Sequence, residues 1–182
     1  SIGDICSVVT GFYSGNDGRF LRRSKSVTRG IKKYQQIEES EICLQDLAGL
    51  KPLDGIDGED CWIPIVKGGG RRFHKPDEWF MNWSLEAIHN YKVENKKRAR
   101  FQNSQFYFCY GIGVPMVSSR AITGAMIDGR LFDQSIVGIF PKKEYEELLV
   151  YLLGFFNSNV CNALIRTINA STNNSSNYIK KL

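Results

Sequence analysis

Nothing in this sequence is both long and apolar. No uncharged run approaches the ~20 residues of a membrane-spanning helix, the longest apolar piece being the stretch around "LLVYLLGFF". The start, "SIGDICSVV", has neither the basic leader nor the cleavage site of a secretory signal. An initiator methionine is also missing, and the end, "NYIKKL", carries no helix cap or polar tail, so the chain is expected to be a piece of a longer one. Metal-binding residues are sparse. Only His74 and His89 could join the scattered Cys6, Cys43, Cys61, Cys109 and Cys161, and no cysteine pair has the spacing of a zinc knuckle. No metal site is expected. The cysteines each sit beside apolar neighbours and are read as buried free thiols of a reducing cytoplasm.

Several catalytic signatures are lacking as well. A nucleotide phosphate loop needs glycines followed by Lys-Ser or Lys-Thr at a helix start. In "KGGGRRFHKP" the lysine precedes the glycines, no hydroxyl follows them, and Pro76 argues against a helix. "GIGVPM" begins like a dinucleotide fingerprint, but Met116 stands at the third glycine. All five prolines are isolated, so the Asn-Pro-Pro-aromatic grip of an adenine methyltransferase is absent. No Phe-x-Gly-x-Gly cofactor loop occurs, nor a Gly-x-Ser-x-Gly elbow. A metal-dependent nuclease pattern is matched loosely by Asp77 with Glu94 and Lys96. Its Glu-x-Lys should end an apolar strand, and only Val93 precedes it. That reading is kept as an alternative, with a protein-interaction module as a third class.

What the chain does have is segregated positive charge. The net charge is +5, but Arg19, Arg22, Arg23, Lys25, Arg29, Lys32 and Lys33 follow one another without an acid. Lys67, Arg71, Arg72 and Lys75 form another group, and Lys92, Lys96, Lys97, Arg98 and Arg100 a third. Most acids lie elsewhere, between Glu38 and Asp60 and at residues 144–147. Clustering of this kind points to a polyanionic ligand, nucleic acid first; a single such run would more often be a solvated face.

Length and composition suit one α+β domain. A strand-rich part, 1–140, carries a twisted, mixed or antiparallel sheet with short hairpins, and a helical part follows at 141–169. "SVVTGFYSGNDGRFLRR" reads as strand, glycine/asparagine turn, strand. "CWIPIV", "EWFMNW", "FYFCYGIGVPMVSSR", "AITGAMID" and "QSIVGIF" read as further strands. Residues 91–100 have no clean period and are left as helix or loop. Pro141 is expected to open a helix with Leu148, Leu149, Leu152, Phe155 and Phe156 on its apolar face. A second helix after Asn157 and Ser158 would carry Val160, Leu164, Ile165 and Ile168 on one face. Trp62, Trp79 and Trp83 are expected in the core.

In order, "VVTGFYSGNDGRFLR", "WIPIVKGGGRRF" with "WFMNW", "RFQNSQFYFCYGIGVPMVSSRAITGAMID", "LFDQSIVGIFPK" and "YLLGFFNSNVCNALIRTINASTNNSSNYIKKL" form a succession that spans essentially the whole chain. It resembles the C-terminal target-recognition domain of adenine-specific DNA methyltransferases, from type II restriction–modification enzymes with fused recognition domains and from BREX-type phage defence. The resemblance implies a non-catalytic domain, 1–182, that reads double-stranded DNA in a bacterial cytoplasm. A covalently linked N-terminal domain would bind S-adenosylmethionine and methylate adenine N6. It also implies that "NASTNNSSNY" is an ordered connection.

The expected DNA contacts follow. Gly68, Gly69 and Gly70 would let the backbone approach a phosphate and aim amides at it; the other reading of these glycines is a strand corner. Lys67, Arg71, Arg72 and Lys75 would supply charge, and arginine can fork onto guanine. Arg19, Arg22 and Arg23 form a second set and Ser118, Ser119 and Arg120 a third. All three are expected to converge on one concave, electropositive wall.

Overall fold

The computed structural model describes residues 1–28, 32–43 and 45–182; Arg29 of the first basic run lies outside the described residues. The elements run α1 (Ile2–Ile5), β1 (Cys6–Thr10), α2 (Asp17–Phe20), β2 (Leu21–Arg23), α3 (Leu47–Leu50), β3 (Trp62–Val66), β4 (Trp79–Asn82) and α4 (Leu85–His89). They continue with β5 (Ile112–Pro115), β6 (Ala125–Met126), β7 (Leu131–Phe132), β8 (Ile136–Pro141), α5 (Leu149–Phe156), α6 (Asn159–Ile168) and α7 (Ser176–Ile179). This is the single α+β domain expected, with its two longest helices, α5 and α6, towards the C-terminal end. Its strands, however, form two four-stranded sheets, ordered β1-β8-β5-β6 and β2-β4-β3-β7. Pairing is antiparallel except between β3 and β7.

The first sheet is the middle layer, and β8 shows why. "IVGIF" has no polar residue because both faces are covered. Val137 and Ile139 turn toward Leu152, Phe156, Cys161, Ile165 and Ile179 of the helices. Ile136 and Phe140 turn the other way, into the core of the second sheet. That second core is aromatic. Phe12 meets the rings of Trp83, Tyr91 and Phe101 at 5.4, 5.0 and 5.9 Å, edge-on arrangements that suit the ring quadrupoles. Trp62 and Trp83 are buried as expected and Trp79 partly so.

Four expectations are corrected. First, β1 and β2 are not a hairpin; they belong to different sheets. Gly11 lets the chain cross between them, since a Cβ there would collide with the Phe132 carbonyl, while Phe12 N–H donates to that carbonyl at 2.8 Å. Second, Pro141 ends β8 opposite Cys6 rather than opening a helix; the chain then makes a 3-10 turn, Lys143–Leu148, before α5. Third, α6 buries Cys161 and Ile165, leaving Val160, Leu164 and Ile168 exposed. Fourth, the cysteines are not all free. Ile42 bridges Trp62 in parallel, and this brings Cys43 against Cys61 in a disulfide, while Cys6, Cys109 and Cys161 remain thiols. Burial pushes the Cys161 thiol up to about 12, as an inert core cysteine requires. Among the described residues no single helix is long and apolar enough to cross a membrane.

Candidate nucleic-acid interface

The glycine run follows directly on β3, and its shape comes from the backbone. Gly68 and Gly70 have φ of +70° and +91°, values that side chains resist. Gly69 packs so close to Pro115 that a Cβ would stand 2.5 Å from the proline Cβ. The strand-corner reading and the close-approach reading are therefore both met, but the close neighbour is the protein itself. The amides differ from expectation too. Gly68 N–H donates to the Ser135 hydroxyl and Gly70 N–H to the Thr123 hydroxyl, each at 3.3 Å, so these two are taken internally.

After the glycines the chain is zipped onto β6. Phe73 N–H donates to Gly124 O at 2.8 Å, and Phe73 O accepts from Met126 N–H at 2.9 Å. Phe73 itself is held at φ +64° with its side chain 53% exposed, an uncommon combination for a bulky residue. The opposite wall is residues 117–121. Ser118 N–H donates to Thr172 O at 2.9 Å, and the Ser118 hydroxyl both accepts from Arg120 N–H and donates to Arg120 O. The two walls enclose an open groove of about 650 Å³ lined by Gly69, Gly70, Arg72, Ser118, Arg120 and Thr172. Arg72 and Arg120 are exposed, and neither is in an ion pair among the described residues.

Residues that sequence reasoning did not select hold this groove open. Arg166 on α6 spreads its guanidinium over Ser118 O (3.1 Å), Arg120 O (2.9 Å) and Ser171 O (2.6 Å). Asn162 accepts from Ile122 N–H at 2.6 Å, and the buried Asn157 side chain both accepts from Gly124 N–H and donates to Gly124 O. The polar "NASTNN" connection is ordered because its side chains replace absent backbone partners: Asn169 donates to Asn173 O, and the fully buried Asn174 donates to Pro115 O. The only hint in the sequence was an excess of asparagine and serine in a segment between two helices.

The other selected cations fare differently. Arg23 is buried, donating to Tyr34 O and Val27 O at 3.2 Å each, so it fixes a loop and faces inward. Lys75, 4% exposed, bonds Gly68 O at 3.0 Å and stands 3.6 Å from Glu78. Burial lowers its pKa against the opposing pull of Glu78; it clamps the base of the glycine loop. Lys67 lies between Asp133 (2.8 Å) and Asp17 (3.1 Å). Burial alone would depress its pKa, but the two carboxylates outweigh burial and raise it. Arg71 faces Glu78 at 3.5 Å while staying largely exposed. Arg19 pairs with Glu86 at 3.3 Å and Arg22 lies 4.3 Å over the Trp62 ring. Both line a separate recess of about 130 Å³ with Glu59, Asp60 and Glu86, and neither lines the groove. Thus Gly69, Gly70 and Arg72 of the first expected contact set meet the third set, Ser118, Ser119 and Arg120, around one groove, whereas Arg19 and Arg22 of the second set line a different, mixed-charge recess and Arg23 is buried.

The nuclease residues do not form the expected element. Glu94 closes a π-helical turn, Asn90–Glu94, and accepts from Asn90 at 2.6 Å, while Asp77 is held by Arg130 at 2.7 Å. A strand ending in Glu-x-Lys is therefore not there.

No protein-family model matches the chain, and no curated protein is similar to it at a significant level.

Proposed function

We propose that this domain recognises double-stranded DNA through the groove between residues 68–72 and 117–121, serving an adenine-N6 methyltransferase or restriction–modification enzyme whose catalytic domain binds S-adenosylmethionine outside this chain. One observation carries the reading: two loops distant in sequence, each bearing an exposed and unpaired arginine, are built rigidly around one open, hydroxyl-lined groove. Arginines held in this way are suited to phosphates and to the bidentate edge of guanine; Ser119 and Thr172 add short donors for phosphate oxygens, while the Ser118 hydroxyl is spent on shaping the 118–120 wall. Lys67 and Lys75 hold the base of the glycine loop, Arg23 holds a separate loop, and none of the three touches the ligand. Arg19 and Arg22 would reach DNA only on a flank, over the Trp62 recess. The domain itself performs no chemistry in this reading and works in the cytoplasm, so the Cys43–Cys61 link would have to persist in a reducing medium.

The test is a salt titration of duplex binding. Arg72→Ala with Arg120→Ala should weaken binding and flatten the log K against log salt plot by about 0.9 for each lost phosphate contact. Duplex affinity and slope both unchanged, with the fold intact by circular dichroism, would refute the groove.

A further inference from the structure

The third basic cluster was not absorbed by the groove, and its setting differs from that of an ordinary charged loop. After the π-helical turn the chain folds back on itself: Arg98 N–H and Ala99 N–H both donate to Asn95 O at 2.8 Å. It is then pinned to the first crossover segment. Arg100 N–H donates to Tyr13 O at 2.8 Å and Tyr13 N–H to Arg100 O at 3.3 Å, while Ala99 is buried. Gly15, at φ +78°, admits this approach, since a Cβ would lie 2.8 Å from Ala99 N and 3.0 Å from the Arg98 carbonyl carbon. Lys96, Lys97, Arg98 and Arg100 are all exposed. None has a carboxylate partner among the described residues, the nearest one in sequence, Glu94, being turned to Asn90. Long cations on and beside a fixed turn, with no carboxylate partner among the described residues, keep their field for an external anion.

The turn is also wired to the glycine loop. Gly68 N–H bonds Ser135 Oγ, and Ser135 N–H bonds Asp133. Asp133 and Asp17 share Lys67, and Asp17 accepts from the Ser14 hydroxyl at 2.7 Å. Ser14 adjoins Gly15, against which the basic turn packs. A continuous run of contacts thus leads from the groove wall to Lys96–Arg100, with Lys67 shared between its two carboxylates.

We infer that residues 96–100 are a second DNA-backbone contact, a phosphate clamp set at a fixed offset from the groove, whose occupant is the sugar-phosphate backbone of the same duplex. This rests on the DNA-recognition reading above. The clamp supplies register and affinity without sequence information, as phosphate contacts do. The side chains of Lys96, Lys97, Arg98 and Arg100 make no hydrogen bond or ion pair among the described residues, so removing them is expected to leave the fold alone.

The experiment is duplex binding by the full chain from 50 to 300 mM salt, with Lys96→Ala, Lys97→Ala and Arg98→Ala combined. The salt slope is expected to fall by about 2–3, by the same amount on specific and random duplexes, with the melting temperature unchanged. Lys96→Arg with Lys97→Arg should keep the wild-type slope. Independently, duplex DNA should protect the Lys96 and Lys97 amines from acylation in the unmodified protein. If the wild type binds duplex but the triple variant keeps its slope, or those amines label equally with and without DNA, the clamp is refuted while the groove stands. If the wild type binds no duplex at low salt, both fall together.

Discussion

Lys67→Met separates the scaffold from the surface. Methionine keeps most of the apolar stem of lysine and removes the charge that Asp133 and Asp17 share. Asp133 is 1% exposed and Asp17 12% in their side chains. Asp133 would retain the Ser135 amide on Oδ1 (2.8 Å) and lose the partner of Oδ2. Removing one member of a buried pair costs about 3–5 kcal/mol. Lys67 is 20% exposed, so water screens part of the loss and a cost of about 2–3 kcal/mol is expected. For a chain of this size that is a drop of roughly 5–10 °C in melting temperature. Asp133→Asn in the same chain should restore part of the loss, because the stranded carboxylate is what costs. The pH dependence has a definite sign. The folded-state pKa of Lys67 is raised, so its stabilisation is complete below the unfolded value of about 10.4 and fades as pH climbs through the folded one. The gap between wild type and variant should therefore stay level through neutral pH and narrow only above about pH 10. The measurement is urea unfolding of wild type, both single variants and the double. A Lys67→Met cost below about 0.5 kcal/mol, the range of ordinary surface changes, would refute the pinned-network account. So would an altered salt slope with unaltered stability, since that would make Lys67 a DNA contact after all.

Other outcomes are expected from the same coordinates. Thiol titration of protein unfolded without reductant should find three reactive groups, Cys6, Cys109 and Cys161; five would remove the Cys43–Cys61 link. Reduction should cost roughly 3 kcal/mol in unfolding experiments, given a sequence separation of 18. Gly69→Ala should force the loop off Pro115, lowering stability by about 1–3 kcal/mol and weakening duplex binding, whereas an unchanged melting temperature would mean the loop does not pack as described. Phe73→Gly, in contrast, should relieve the φ of +64° and hold stability level or raise it by up to about 1 kcal/mol; a clear loss in thermal unfolding would count against that strain.

The strands were legible wherever their chemistry was local. "CWIPIV" and "QSIVGIF" carry β-branched and apolar residues without interruption, and they are β3 and β8, buried on both faces. Helix α6 was legible by its Ser158 cap, which accepts from Cys161 N–H. The apparent hairpin was not, because an identical strand–turn–strand pattern arises when Gly11 passes a neighbouring carbonyl and the chain changes sheets. Pro141 misled for a related reason: proline suits a helix start, yet at the end of β8, past the last pair with β5, its missing N–H costs little. In the groove, Gly69, Arg72 and Arg120 were identifiable from their residue types. The clamp formed by Arg166, Asn162 and Asn157 was not, since its hydrogen bonds span 48, 40 and 33 residues, and no local pattern encodes them.

The fate of the cations follows one physical rule, which also bounds the functional reading. A basic side chain that points in among other elements loses water and is stable only if carboxylates or carbonyls replace that water. Lys67 found Asp133 and Asp17, Lys75 found Gly68 O and Glu78, and Arg23 found the carbonyls of a loop. A basic side chain on an exposed turn or loop keeps its hydration and needs no partner, as at Arg72, Lys96, Lys97, Arg98, Arg100 and Arg120. Counting charges along the sequence mixes the two kinds, so the field available to a polyanion is narrower than the basic runs suggest and comes from a few rigid tips. Affinity should accordingly track substitutions at those tips and ignore charge-neutral repairs of the buried pairs. A double Lys67→Met, Asp133→Asn variant that folds and still binds duplex with the wild-type salt slope is the expected result. Loss of that slope would mean the buried lysines share in the surface potential and that the division drawn here between scaffold and contact is wrong.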